Sequence, residues 1–238
     1  MYKTLYRTYR PKAFEQVIGQ EIIKKSLIKA IEKDKISHSY LFSGKSGTGK
    51  TTLAKIFAKA INCLETNKPC NTCKICISIN EATTIDVVEM DAASNNGVEQ
   101  IRNLIDSIQY PPIVCKYKVY IIDEVHMLTT SAFNALLKTL EEPPANSVFI
   151  LATTEEHKIP ETILTRCQRY NFKEVTTSEI TNLLESIMKK ENKEYEPEAI
   201  KTISEMSTGS VRKALSITEQ CIHLDAKLSI TLINDVYN

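Results

Sequence analysis

Apolar positions along the chain follow two alternating rhythms. Tyr40-Leu41-Phe42, Lys118 to Ile122 and Val148 to Ala152 are nearly unbroken apolar runs, which read as buried strands, and Ile85 to Met90 looks like a further strand. Between them the spacing changes to that of helices. Residues Glu21 to Lys33 carry Ile22, Ile23, Leu27, Ile28 and Ile31, and Val98, Ile101, Leu104, Ile105 and Ile108 share one face of a second segment. Leu53 to Ile61 and Ala132 to Leu140 repeat the pattern. With a last short strand at Gln168 to Phe172, the alternation predicts an α/β fold on a parallel five-stranded sheet.

Beyond Lys173 strand signals fade and helices take over. Thr177 or Ser178 can cap a helix reaching about Lys190, and Pro197 opens another through Met206. Ser210 can cap a third, with Val211, Leu215 and Ile217, and Ile230 to Val236 suggests a short fourth element. The expected organisation is a nucleotide-binding domain at 1–173 and a small all-helical domain at 174–238. Neither an internal repeat nor a low-complexity segment interrupts it.

The strand at Tyr40 and the helix at Leu53 enclose Gly44-Lys45-Ser46-Gly47-Thr48-Gly49-Lys50-Thr51, which fits G-x-x-x-x-G-K-[ST] at every fixed position. Glycines allow the tight turn that aims successive N–H groups at phosphate oxygens, and the next helix adds its N-terminal partial charge. Lys50 would reach the β- and γ-phosphates of ATP, and the Thr51 hydroxyl would ligate Mg²⁺. Thr52 completes the set expected around the nucleotide. A buried strand ending in Asp123-Glu124 is the usual partner of such a loop. Asp123 would hold Mg²⁺ opposite Thr51, and Glu124 would orient and deprotonate the attacking water. The hydroxyls of Thr153 and Thr154 end a further strand, at the edge where open α/β sheets bind ligands; strand-end capping is the plainer reading.

Cys63, Cys70, Cys73 and Cys76 lie within fourteen residues, spaced as in tetrahedral zinc sites. A zinc module at about 62–80, structural in role, is expected, although iron–sulfur ligation also uses C-x₂-C-x₂-C. Cys115, Cys167 and Cys221 stand alone and read as buried or incidental thiols. In the segment Thr8 to Gln20, basic and aromatic residues interleave. They would suit nucleic acid, a pocket for a flat ring, or a surface arm packed on the core.

Composition narrows the rest. Hydrophobic residues are 42% and charged residues 25% of 238, ordinary for a globular protein, and no run reaches the length of a membrane span. A net charge of +1 makes no case for nucleic acid by itself. The opening Met1 to Arg7 lacks an apolar signal core, so a cytoplasmic location is expected, where disulfides are rare.

Taken together, these motifs resemble the ATPase core of the AAA+ clamp loaders of bacterial DNA polymerase III. The resemblance rests on Tyr9-Arg10-Pro11 with Phe14 and Val17-Ile18-Gly19-Gln20, on the phosphate loop, and on the four-cysteine insertion after its helix. Asp123 to Leu128, Leu151 to Thr154, Thr165-Arg166-Cys167 and Gly209 to Arg212 complete it. It covers practically the whole chain in order.

The resemblance implies that Tyr9, Arg10, Pro11, Val17 and Ile18 line an adenine pocket. It implies that Thr153 or Thr154, preferably Thr154, senses the γ-phosphate, and that Arg212 is a second sensor at the start of a lid helix. Arg166 would act in trans as an arginine finger in a neighbouring subunit's ATP site. The implied partners are the other subunits of a hetero-pentamer, the sliding clamp and primed DNA. Thr165 stands where the family usually has serine, Lys213 where an acidic residue is expected, and the Cys63–Cys70 spacing is short for the family. The family's helical collar domain is missing, so this chain should bind nucleotide but assemble poorly. A helicase-type motor and a non-hydrolysing scaffold are the competing readings.

Overall fold

The computed structural model describes residues 3–224 and 227–237; the outermost residues of the two expected domains fall outside that range. A short helix α1 (Leu5–Thr8), a single 3-10 turn at Phe14–Gln16 and helix α2 (Glu21–Glu32) precede strand β1 (Ser39–Ser43). The chain continues through α3 (Lys50–Asn62), α4 (Lys74–Asn80), β2 (Val87–Asp91), α5 (Val98–Ile108) and β3 (Lys118–Asp123). Then come α6 (Thr130–Glu141), β4 (Ser147–Thr153), α7 (Glu161–Leu164) and β5 (Gln168–Asn171).

All five strands run parallel in the order β2-β3-β4-β1-β5. Successive side chains leave a strand on opposite faces, so each apolar run feeds two cores at once. Tyr40, Phe42, Ile121 and Ile150 pack with Leu27, Leu53 and Phe57 of α2 and α3. Leu41, Tyr120, Ile122 and Phe149 pack with Ile101, Phe133 and Leu136 of α5 and α6. This double burial is why the strands read as continuous rather than alternating.

The remaining helices are α8 (Thr177–Lys190), α9 (Pro197–Met206), α10 (Val211–Leu224) and α11 (Ile230–Tyr237). They form a core of their own around Ile180, Leu184, Ile203, Ala214, Cys221 and Ile233. Leu5 of α1 belongs to this cluster, and its amide donates to Glu219 Oε1 at 3.1 Å, so the N-terminal arm begins on the helical layer and then crosses to the sheet.

Three local expectations shift. Helix α8 is capped by Thr176, not Thr177 or Ser178: its hydroxyl accepts from the Glu179 amide, and the Thr176 amide in turn donates to the Glu179 carboxylate. β2 begins at Val87 because Asp86, 1% exposed, turns inward while Ile85 turns to solvent. The helical part also carries a two-residue parallel pairing of β6 (Glu194–Tyr195) with β7 (Lys227–Leu228), too short for any sequence rhythm. No helix of the described residues is long and apolar enough to cross a membrane.

Candidate functional site

The site forms where β1, β3 and β4 end side by side. Ser43 of β1 is in register with Thr153 of β4, and β3 on the far side of β4 ends at Asp123. β1 therefore delivers the phosphate loop next to the acidic strand end 72 residues away.

The loop's backbone needs its glycines. Gly44 has φ +142°, and a Cβ there would lie 2.5 Å from the Phe172 carbonyl oxygen. Gly47 has φ +79° and would meet Ser210 Oγ at 2.0 Å. Gly49, at φ +102°, opens α3. Thr48 Oγ1 closes the turn by donating to the Lys45 carbonyl at 2.8 Å. Lys50 is buried and donates to the Gly44 and Lys45 carbonyls at 2.7 and 3.0 Å. Burial lowers its pKa below the usual lysine value, while the nearby Glu124 and Asp123 carboxylates pull the other way.

The Thr51 hydroxyl donates to Asp123 Oδ2 at 2.6 Å, so the two expected Mg²⁺ ligands already face one another. A hydroxyl and a carboxylate oxygen at a strand end suit a hard cation that keeps most of its water. Glu124 follows with φ +48°, a left-handed conformation rare for a residue with a Cβ, and its amide donates to Asp123 Oδ1 at 3.0 Å. This backbone turn swings the Glu124 side chain towards β4. There the amide and hydroxyl of Thr154 donate to Glu124 Oε2 at 3.2 and 2.9 Å.

The structure separates the two threonines. Thr153 is fully buried, and its Oγ1 lies 3.0 Å from His126 Nδ1 and accepts from the Glu155 amide. Thr154 faces Glu124. His126, which sequence reasoning passed over, also approaches Glu124 Oε2 at 3.4 Å and Glu155 Oε1 at 3.2 Å. Its position two residues after Glu124 was the available signal.

Arm, loop and helical layer enclose one cavity of about 430 Å³. Tyr9, Arg10, Pro11, Val17 and Ile18 line it together with Ser46 to Thr52, Asp123, Glu124 and Arg212. Arg10 Nε donates to Thr52 Oγ1 at 3.2 Å, and burial lowers its pKa. Tyr9 OH donates to Glu191 Oε1 at 2.5 Å, tying the arm to α8. Sequence reading missed Tyr6, Arg7, Gln16, Leu183, Val211 and Leu215, the last three from α8 and α10. Nothing local distinguishes those apolar residues from ordinary core positions. The helical layer meets the phosphate loop directly: the Val211 amide donates to the Gly47 carbonyl at 3.1 Å, and Lys45 pairs with Glu174.

Four of the residues predicted for catalysis or nucleotide binding do not line this cavity: Gly44, Lys45, Thr154 and Arg166. Gly44 sits beneath the loop, against Phe172. Arg166 does not line the cavity; its guanidinium pairs with Glu141 Oε1 at 2.5 Å and donates to the Thr162 carbonyl.

The four cysteines converge although they span the end of α3, a loop and α4. Their Sγ atoms all lie within 4.8 Å of one another, with Cys70 and Cys76 at 3.9 Å. A tetrahedral zinc site with Zn–S near 2.3 Å needs S–S separations of about 3.8 Å, so the cluster fits that ion. Amides of Cys70, Thr72, Cys73 and Cys76 donate to sulfur atoms of the set. The Thr72 hydroxyl, with the Thr72 and Cys73 amides, pulls the Cys70 thiol down to about 6, whereas burial pushes the Cys63 and Cys76 thiols up. Cys115 and Cys221 are buried, as expected of isolated thiols, and Cys167 is half-buried.

Comparison with known proteins places this geometry in a family. Residues 19–176 match the family described as "DNA polymerase III, delta subunit", and residues 179–225 match "DNA polymerase III clamp loader subunit, ATPase lid domain". DNA polymerase III subunit tau of Bacillus subtilis is 52% identical over 93% of this chain and 40% of its own length. Subunit gamma/tau of Mycoplasma genitalium is 48% identical over 100% of this chain and 40% of its own length. This chain thus spans about two-fifths of those relatives. Among solved structures, the Thermotoga maritima RuvB branch-migration motor superposes with a TM-score of 0.69 at 19% identity, over 95% of this chain and 71% of that one. A likeness at that identity speaks for the AAA+ fold alone. The chain belongs to the clamp-loader subunits of DNA polymerase III, with an AAA+ core and a helical ATPase lid.

Proposed function

We propose that this chain is an ATP-hydrolysing motor of a replicative clamp loader, with a nucleotide domain at 1–173 and a lid at 174–238. The observation that carries the reading is the grouping of Thr51, Asp123 and Glu124 at one end of a cavity whose other walls are arm and lid, with Thr154 bonded to Glu124 just outside that lining. One end offers amides, Lys50 and carboxylates for a triphosphate with Mg²⁺; Pro11, Val17 and Ile18 offer an apolar wall for a flat base.

Thr51 and Asp123 would hold Mg²⁺, whose charge would neutralise the β- and γ-phosphates. Lys50 leaves the loop carbonyls to meet the γ-phosphate. Glu124 accepts a proton from water as the water oxygen bonds to the γ-phosphorus and the bond to the β–γ bridging oxygen breaks, leaving ADP and phosphate. Thr154 orients the Glu124 carboxylate and meets the γ-phosphate when one is bound. Arg212, on the lid helix beside Gly47, reads the same phosphate and sets the lid angle. Arg166, on a separate surface, completes the neighbouring subunit's site, so turnover depends on assembly.

The partners of this motor are the other subunits of a hetero-pentamer, the sliding clamp and primed DNA, in the cytoplasm. Relatives named as gamma and tau subunits of DNA polymerase III support that setting. The test is ATP turnover by the chain assembled with those subunits, with and without clamp and primed DNA. Stimulation lost in both Glu124→Gln and Arg166→Ala is the expected result. Turnover indifferent to clamp, DNA and Arg166 would rule out the clamp-loader role.

A further inference from the structure

Lys59 lies near the end of α3, 2% exposed, and its three N–H protons all reach neutral oxygens. Nζ donates to the Lys12 carbonyl at 2.9 Å, to Asn71 Oδ1 at 2.7 Å and to Asn80 Oδ1 at 2.8 Å. An ammonium buried without a carboxylate is costly unless every proton is satisfied, so three oxygens must be held in place together. Each comes from a different segment. Lys12 belongs to the arm, Asn71 follows Cys70 with φ +60°, and Asn80 ends α4, the helix that Cys73 caps and Cys76 lies within.

The arm is fastened to α3 at two points flanking Pro11. Arg10 bonds Thr52 in the first turn of the helix, and the Lys12 carbonyl bonds Lys59. Thr52 and Lys59 are seven residues apart, about two helical turns, and so share a face. Pro11 between the two anchors lines the cavity. Lys59 is also the atom-level junction between this arm and the four-cysteine module, whose two asparagines take its other protons.

We propose that Lys59 is a positioning residue through which the metal-bound cysteine module holds the base-side wall of the nucleotide cavity. Metal occupancy fixes Asn71 and Asn80, these fix Lys59, and Lys59 fixes the backbone of the arm. The inference rests on the reading that the cavity binds ATP. It assigns the module a role in nucleotide affinity on the base side, while the phosphate end is built by the loop itself.

The 238-residue chain, with its zinc content measured, is titrated with ATP and separately with inorganic tripolyphosphate. Lys59→Met is expected to weaken ATP binding about tenfold, the scale of losing a charge-assisted hydrogen bond, and to leave tripolyphosphate binding unchanged. Asn80→Ala and Asn71→Gly, which keeps the left-handed backbone, remove one acceptor each and should weaken ATP binding in the same direction should Lys59→Met fold poorly. Zinc withdrawal by a chelator should weaken ATP binding in the parent chain and add nothing further in Lys59→Met. Equal ATP affinity in the parent and the asparagine variants overturns the inference, as does a chelator effect undiminished in Lys59→Met. A parent chain that binds tripolyphosphate or nothing, but not ATP, overturns the nucleotide reading itself.

Discussion

Thr154 grips one oxygen of Glu124 with two donors, its hydroxyl at 2.9 Å and its amide at 3.2 Å. The contact joins the ends of β3 and β4 and settles the direction of a side chain whose backbone already sits at φ +48°. Removing the hydroxyl leaves the amide, so the carboxylate is loosened but not lost. Thr154→Val should reduce turnover about ten- to a hundredfold with ATP affinity little changed, whereas Glu124→Gln should cost about 10²–10⁴. Single-turnover hydrolysis beside equilibrium ATP binding separates the two effects. Equal losses in affinity and rate would mean that Thr154 acts through nucleotide binding and not by orienting Glu124.

Arg166 is held within its own chain by Glu141 and the Thr162 carbonyl, apart from the cavity. Arg166→Ala should therefore leave ATP affinity of the isolated chain unaltered. In the assembled complex it should lower turnover by about 10³ or more, the usual scale for a finger supplied in trans. Arg166→Lys should recover little, because a point charge cannot reproduce the planar fork. A loss of ATP binding in the isolated chain would show Arg166 acting in cis.

Asp86 gives a pH-dependent prediction. Its burial alone would raise the pKa, but the amides of Val114, Ile113 and Cys115 at 2.8–3.1 Å outweigh it and hold the carboxyl below the usual value. A folded-state pKa below the unfolded one adds stability above the unfolded value, near 4, that disappears as pH falls through the folded value. Asp86→Asn should cost about 2–3 kcal/mol at pH 7. The gap between the two proteins should narrow below about pH 4 in urea unfolding. A difference constant from pH 7 to pH 3 would mean the amides do not stabilise the charge.

Gly47 is where the loop touches the lid. Its φ of +79° alone would cost an alanine about 1–2 kcal/mol, and the added methyl would press on Ser210 Oγ. Gly47→Ala should lower the melting temperature and weaken ATP binding. Adding Ser210→Ala should recover only the part due to the clash, leaving the backbone cost. Full recovery in the double variant would show that the left-handed turn is unstrained there.

Features that depend on a few neighbouring residues are legible in the chain before it folds. The apolar runs at Tyr40, Val119 and Val148 specify strands because both faces are buried. Gly47, Gly49, Lys50 and Thr51 specify the phosphate loop because positive φ, a helix start and an ammonium are needed within one turn. Asp123-Glu124 was legible as a strand end with carboxylates, and the cysteine spacing as four thiols close enough together to hold a metal ion. Tertiary structure alone decided the strand order, which seats β1 between β4 and β5 and so brings Thr51 to within 2.6 Å of Asp123. It chose Thr154 over Thr153 as the partner of Glu124, gave Arg166 its Glu141, and added Leu183, Val211 and Leu215 to the cavity. It also gathered Lys12, Asn71 and Asn80 around Lys59. The reason is one of range. Backbone sterics and side-chain periodicity act over a few residues and leave a mark on every window of sequence. Contacts between residues 30 to 214 positions apart depend on how whole elements pack, and no local window carries that information.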